Sequence, residues 1–213
     1  EGVRIGANTK ISSHVVIDKW TTIGKDNHIF QFVSIGAPPQ DLGYKNEKTE
    51  TIIGDRNVIR EFVTIHRATT KDRLKTECGS NNLFMNYVHI AHDCRLGDNL
   101  IMANTATLGG LVTIDNHAIV GGLVAVHQHV RIGAYCIIGG ASAVSKDIPP
   151  SIASVRIPVF GRIAVLRFNA FAGAATFRAV ERPLSPLAKA GLLAPYGTPH
   201  DRIATLRFVE DIP

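Results

Sequence analysis

Isoleucine recurs every six residues at Ile5, Ile11, Ile17, Ile23, Ile29 and Ile35, and the same step resumes at Ile53, Ile59 and Ile65. After a break it runs through Cys78, Phe84, Ile90, Leu96, Met102, Leu108, Ile114, Val120, Val126, Ile132, Ile138 and Val144. A helix repeats its apolar face every 3.6 residues and a strand every second residue, so neither gives a step of six. A hexapeptide that supplies one short strand and one turn does, and three of them close a triangular coil of about 18 residues. The residue that opens each hexad then points inward and stacks on its counterparts in neighbouring coils. No coil buries that residue alone, so many must stack. The expected fold is all-β, a left-handed parallel β-helix.

Small or β-branched residues four positions on, such as Thr9, Val15, Thr21, Ala106, Ala118 and Ser142, suit a crowded corner. Glycine and asparagine recur one to three positions after the inward residue, where tight turns favour positive φ. Two stretches break the register, 36–52 and 71–77, and each is expected to be a loop ejected from a corner. The first contains Ala37-Pro38-Pro39-Gln40-Asp41-Leu42-Gly43-Tyr44-Lys45. Loops on a rigid scaffold are where binding residues concentrate.

The prolines of Asp147-Ile148-Pro149-Pro150 cannot donate to a strand ladder. They are expected to end the repeat, which gives a β-helix domain over 1–150 and an atypical tail over 151–213. The tail lacks the hexad, and its one helical candidate, 162–180, is interrupted by Gly173. It carries eight Lys/Arg against four Asp/Glu, whereas the repeat region carries fifteen against fourteen. The basic balance therefore belongs to the tail. With no Arg/Lys stripe interleaved with aromatics, it does not point to nucleic acid. No apolar run is long enough to span a membrane. Cys78 falls at an inward position and Cys94 and Cys136 at the small-residue corner, so all three read as buried thiols of a cytoplasmic protein, neither disulfides nor ligands. The chain opens in register at Glu1-Gly2-Val3-Arg4-Ile5, and further coils are expected upstream.

Four of the nine histidines stand out: His66, His89, His92 and His127. Any one alone reads equally well as a structural histidine satisfied by a carbonyl; only a constellation is informative. It lies in Tyr87-Val88-His89-Ile90-Ala91-His92-Asp93-Cys94, because one coil beyond His92 stands Gly110. Strands of successive coils are about 4.8 Å apart, so the Gly110 backbone is predicted to lie directly over His92. A histidine can take a proton from a hydroxyl. A glycine N–H with no side chain in the way can hold an oxyanion. Together they suit acyl transfer, and Asp93 is placed to orient the imidazole.

The hexads, Gln40-Asp41-Leu42, Val63-Thr64-Ile65-His66-Arg67, the His89-to-Cys94 run and Ala125-Val126-His127-Gln128 together resemble the UDP-N-acetylglucosamine acyltransferases of lipid A biosynthesis. The resemblance covers residues 1 to about 150. It implies transfer of a 3-hydroxyacyl chain from acyl carrier protein to the 3-hydroxyl of UDP-N-acetylglucosamine. On this likeness His92 is the general base, Gly110 N–H the oxyanion donor and Asp41 a contact to the sugar, with His66, His89 and His127 lining the cleft. Gly140 matches the position that measures acyl length, and its missing side chain implies a chain of about fourteen carbons. The family implies a homotrimer with no metal and no free cofactor, the donor being the carrier-protein thioester. Three departures accompany it: Gly43 where the family has lysine, Leu111 where it has histidine, and a tail without the family's C-terminal helical domain. About two further family coils are expected before residue 1.

Other classes remain open on the residues alone. A zinc hydratase of the γ-carbonic-anhydrase type needs three interfacial histidines, and the spacing of His92 and His127, near two coils, invites it. Ile132 stands where that family's further histidine belongs. A sibling acyltransferase, acting on the nitrogen of an acylated glucosamine or drawing on acetyl-CoA, shares the fold and the lone base. A non-catalytic binder, or a catalytically impaired remnant, is the third.

Overall fold

The structure, a computed structural model, describes residues 1–154. Every described strand is parallel to its neighbours, and they form the three faces of a triangular left-handed β-helix. The first face stacks Arg4–Ile5, Thr21–Ile23, Glu50–Ile53, Lys75–Cys78, Arg95–Leu96, Thr113–Ile114 and Arg131–Ile132. The second stacks Lys10–Ile11, His28–Ile29, Val58–Ile59, Leu83–Phe84, Ile101–Met102, Ile119–Val120, Ile137–Ile138 and Ala153–Ser154. The third stacks Val16–Ile17, Ser34–Ala37, Thr64–His66, His89–Ile90, Thr107–Leu108, Ala125–Val126 and Ala143–Val144. Inward residues pair with inward residues throughout, for example Ile5 with Ile23 and Ile90 with Leu108.

Strands of two residues have little stability of their own; the inner column holds them. Ile29, Ile35, Ile59, Ile65, Phe84, Ile90, Met102, Leu108 and Ile132 are fully buried. Each such side chain contributes about 1.5–3 kcal/mol relative to exposure. The exceptions lie in the outermost coil, where Ile5 and Ile11 are exposed because only one coil packs against them. Cys78, Cys94 and Cys136 are buried free thiols, as their positions required. Burial pushes the Cys78 and Cys94 thiols up, to about 12 for Cys94.

Two features of the turns differ from expectation. Positive φ falls three residues after the inward position, and this site is mostly not glycine: Phe32, Phe62, Tyr87, Leu111 and Leu123 all adopt it. Glycine directly after the inward residue answers to a different demand, close approach of the next coil. A Cβ on Gly54 would lie 2.7 Å from the Gly79 carbonyl oxygen. The crowded corner also takes a polar residue where small or β-branched ones were expected. Asn27, Asn57 and Asn82 are buried in a ladder, each Nδ2 donating to a glycine carbonyl of the next coil and each Oδ1 accepting a backbone N–H.

Strand pairing runs past the prolines to Ala153–Ser154. Ile148 N–H donates to Arg131 and Ser151 N–H to Ala134, so the ladder asks nothing of Pro149 or Pro150. The helical candidate at 162–180 and the rest of the tail from 155 onward lie outside the described residues. Among the described residues no helix is long and apolar enough to cross a membrane.

Candidate active site

Both ejected loops leave the third face and return to the first, at the corner that carries His92. The first runs between Ser34–Ala37 and Glu50–Ile53, the second between Thr64–His66 and Lys75–Cys78. The first loop is fastened by Arg67, whose side chain is 1% exposed. Its guanidinium donates to Tyr44 Oη (2.8 Å), the Gly36 carbonyl (2.8 Å) and Asp18 Oδ2 (3.0 Å), and lies over the Trp20 and Tyr44 rings. The planar fork of arginine suits such convergent acceptors. Within this loop Asp41 Oδ1 accepts the Gly43 N–H at 2.7 Å, a local turn that aims its other oxygen at the corner.

His92 sits where register predicted. A Cβ on Gly110 would fall 2.4 Å from His92 Cε1 and 2.7 Å from Nε2, so a side chain there would push the imidazole from its place. Leu111 N–H donates to the His92 carbonyl and His129 N–H to that of Gly110, both at 3.0 Å, so backbone bonds on either side fix the two residues. The N–H of Gly110 itself makes no hydrogen bond among the described residues. His92 Nδ1 lies 2.8 Å from Asp93 Oδ2. An ionised carboxylate only accepts, so Nδ1 carries the proton and Nε2 is the nitrogen left to accept one in the neutral tautomer. Nε2 faces Asp41 Oδ2 at 3.9 Å.

Asp93 is held in turn. Its carboxylate is fully buried and accepts the Thr69 N–H (3.1 and 3.2 Å) and the Thr69 hydroxyl (2.6 Å), while its own N–H donates to Thr76 Oγ1. Asp93 also lines a cleft of about 250 Å3 with Asp72, Arg73, Arg95, Leu111, Thr113, His129 and Arg131. His92 is not a wall of that cleft; its imidazole turns toward the loop side.

His66 and His89 join the site as neighbours, their rings edge-to-face at 5.0 Å. Burial first, then the charges of His89 and His92, pushes His66 down to about 4. Burial and His92 lower His89 in the same way, and His89 Nδ1 is 2.7 Å from Thr64 Oγ1. Both are therefore neutral at pH 7. Asp41 lies below its ordinary value because Lys71 and the Gly43 N–H bind its charged form.

His127 occupies the same corner two strands further along, about 10 Å from the His92 level, its Nδ1 turned to the Gln128 carbonyl. Gly140 lies at the other corner of the third face, three strands beyond His89, or about 14 Å along the axis. Neither touches His92 within one chain. No group of three His, Cys, Asp or Glu side chains among the described residues could hold a metal ion.

Sequence reasoning missed three residues here. Arg67 fastens the first loop, Thr69 orients Asp93, and Lys71 pairs with Asp41. Lys45, which stands nearer Asp41 in sequence, does not take that place; its backbone N–H turns to Glu47. Only Arg67 carried a signal, as an arginine directly after a strand that is otherwise buried.

No protein-family model matches the chain. Among solved structures, LpxA from Acinetobacter baumannii is similar, with a TM-score of 0.71 and 36% identity, covering 94% of this chain and 83% of that one. The chain belongs to the UDP-N-acetylglucosamine acyltransferase family. The Francisella novicida UDP-N-acetylglucosamine acyltransferase gives a TM-score of 0.71 at 33% identity, covering 99% of this chain and 79% of that one. A curated acyl-[acyl-carrier-protein]–UDP-N-acetylglucosamine O-acyltransferase of Syntrophobacter fumaroxidans is 60% identical over 148 residues. That match takes in 70% of this chain, and the chain spans 57% of the length of this acyltransferase.

Proposed function

We propose that the chain carries the acyl-transfer site of an enzyme that moves a 3-hydroxyacyl group from acyl carrier protein to the 3-hydroxyl of UDP-N-acetylglucosamine. The observation that carries this reading is the pairing of His92 Nε2, turned to the loop side by the Nδ1–Asp93 contact, with the unengaged N–H of Gly110 one coil away. The sugar oxygen attacks the thioester carbonyl as Nε2 takes its proton, and Asp93 stabilises the imidazolium. Gly110 N–H holds the oxyanion of the tetrahedral adduct. Collapse breaks the carbon–sulfur bond, and the departing carrier thiolate recovers the proton from His92. Asp41 accepts from sugar hydroxyls, and His66, His89 and His127 border the acceptor on the loop side of His92.

The third face supports an acyl path. From His89 its outward residues become small and exposed, Thr107, Ala125 and Ala143, and the strip ends beside Gly140. We assign Gly140 as the limit of chain length and residues 1–150 as the acyltransferase unit, assembled as a trimer with no metal and no free cofactor. The test is transfer from 3-hydroxyacyl carrier protein to UDP-N-acetylglucosamine, with His92→Ala alongside. Turnover that vanishes in the variant while the fold survives is the expected result. A variant that turns over at the wild-type rate would remove His92 from the role of base.

A further inference from the structure

The two ejected loops meet over His92, and a charge pair joins them. Lys71 of the second loop places its ammonium on Asp41 Oδ2 of the first, the same oxygen that lies 3.9 Å from His92 Nε2. Allowing a hydrogen bond of about 2.9 Å, the ammonium stands within about 7 Å of the base. The Lys71 side chain is 55% exposed, so burial does not force it there. Its backbone is fixed: Lys71 N–H donates to Thr69 Oγ1 at 3.1 Å, and that hydroxyl donates to Asp93. The residue that orients the base thus also anchors the lysine.

We propose that Lys71 binds the diphosphate of the acceptor and so selects a nucleotide-linked sugar over a free one. This rests on the acceptor assigned above. With the 3-hydroxyl at Nε2, the phosphate on C1 stands across the sugar ring, a separation of the same scale as that between Lys71 and the base. An ammonium has three donors, and Asp41 takes one, which leaves two for phosphate oxygens without breaking the pair. Asp41 alone would set a negative charge against the incoming diphosphate; Lys71 offsets it. Of the arginines near this corner, Arg67 is engaged by Asp18, Tyr44 and Gly36 and Arg73 by Asp72 and Glu77, while Arg95 and Arg131 line the cleft of which His92 is not a wall.

The experiment is calorimetric binding of UDP-N-acetylglucosamine to the full chain, as wild type, Lys71→Met and Lys71→Arg, at low and high salt. Losing a hydrogen bond between charged groups predicts binding about 10- to 100-fold weaker in Lys71→Met, with a flatter salt dependence. Lys71→Arg should stay within about threefold of wild type, because a cation remains. Wild-type affinity in Lys71→Met would overturn the proposal. So would equal loss in both variants with unchanged salt dependence, which marks a loop tie and nothing more. A wild-type chain that binds no nucleotide sugar would bring down the acceptor assignment together with this inference.

Discussion

Replacing Asp93 by asparagine tests the catalytic corner most severely, because its hydrogen bonds can be counted. Three donors converge on the carboxylate: Thr69 N–H, Thr69 O–H and His92 Nδ1–H. Asparagine supplies one accepting oxygen and adds an NH2, in a position whose side chain is fully buried. If the amide oxygen takes the Oδ2 place, the NH2 is left without an acceptor, at a cost of about 1–3 kcal/mol. If the NH2 takes it, the rotatable Thr69 hydroxyl can accept from it, and so can His92 Nδ1. The second arrangement pairs the amide hydrogen at that place and is favoured, the Thr69 O–H losing its acceptor in exchange. It also leaves the proton on Nε2, so the base faces the substrate as a donor.

Catalysis then has to restore the other tautomer, at about 1–3 kcal/mol, and does so without the carboxylate, whose charged hydrogen bond to the imidazolium contributes about 1.5–3 kcal/mol. Together these predict a fall in kcat of about 10²- to 10⁴-fold. The assay is steady-state acyl transfer, with a thermal melt to show that the fold is retained. Affinity for UDP-N-acetylglucosamine should move by less than about threefold, since Asp93 is buried beneath the base. A kcat within about tenfold of wild type would show that Asp93 does not set the tautomer of His92.

The remaining predictions concern pH and chain length. His66 titrates near 4 in the folded chain against an ordinary 6.5, so the unfolded chain binds its proton first as pH falls. Its contribution to stability is therefore complete above pH 6.5, declines between 6.5 and 4 and is gone below about 4, amounting to about 2–3 kcal/mol once incomplete burial is discounted. His89 acts in the same direction. Urea midpoints at pH 7.5 and 4.5 should lie closer together in His66→Gln, and an unchanged gap would remove His66 as the cause. At the far end of the third face, a side chain on Gly140 would begin 3.2 Å from the Gly122 carbonyl and extend into the strip of small residues. Gly140→Met should shift preference several-fold toward shorter acyl donors in direct competition, and an unaltered ranking would deny Gly140 the role of limit.

How far the molecule could be read in advance depended on register. Between His92 and Gly110 no residue is inserted, so counting one coil along the sequence is enough to place the glycine over the imidazole. Thr69 and Asp93 are 24 residues apart, a coil lengthened by the second loop, and no periodicity tells where inside a loop a side chain points. The same limit hid Lys71, 30 residues from the Asp41 it pairs with. The turns misled for another reason. Positive φ disfavours a side chain only locally, and stacking can offset that cost: Phe32, Phe62 and Tyr87 adopt it while their rings lie 5.1 and 4.8 Å apart in one column. Glycine was needed instead where two backbones nearly touch, a relation between coils that reading one hexad at a time does not show.

These two kinds of position should also answer differently to substitution. His92 and Gly110 are set by ladder bonds on both sides, so their separation varies only with the stacking of coils, and on the proposed mechanism changes there should act on the chemical step. Asp41 and Lys71 sit on loops held by side chains as well as backbone, the first through Arg67 and Thr49, the second through Thr69. Substitutions in such a loop can move its charges without disturbing the inner column. The site therefore combines a catalytic pair that the repeat cannot easily misplace with a pair of charges that can be retuned independently. Gly43 and Lys71 fit that division: position 43 of the first loop carries no cation, Lys71 of the second reaches Asp41, and His92 beneath keeps its contact with Asp93.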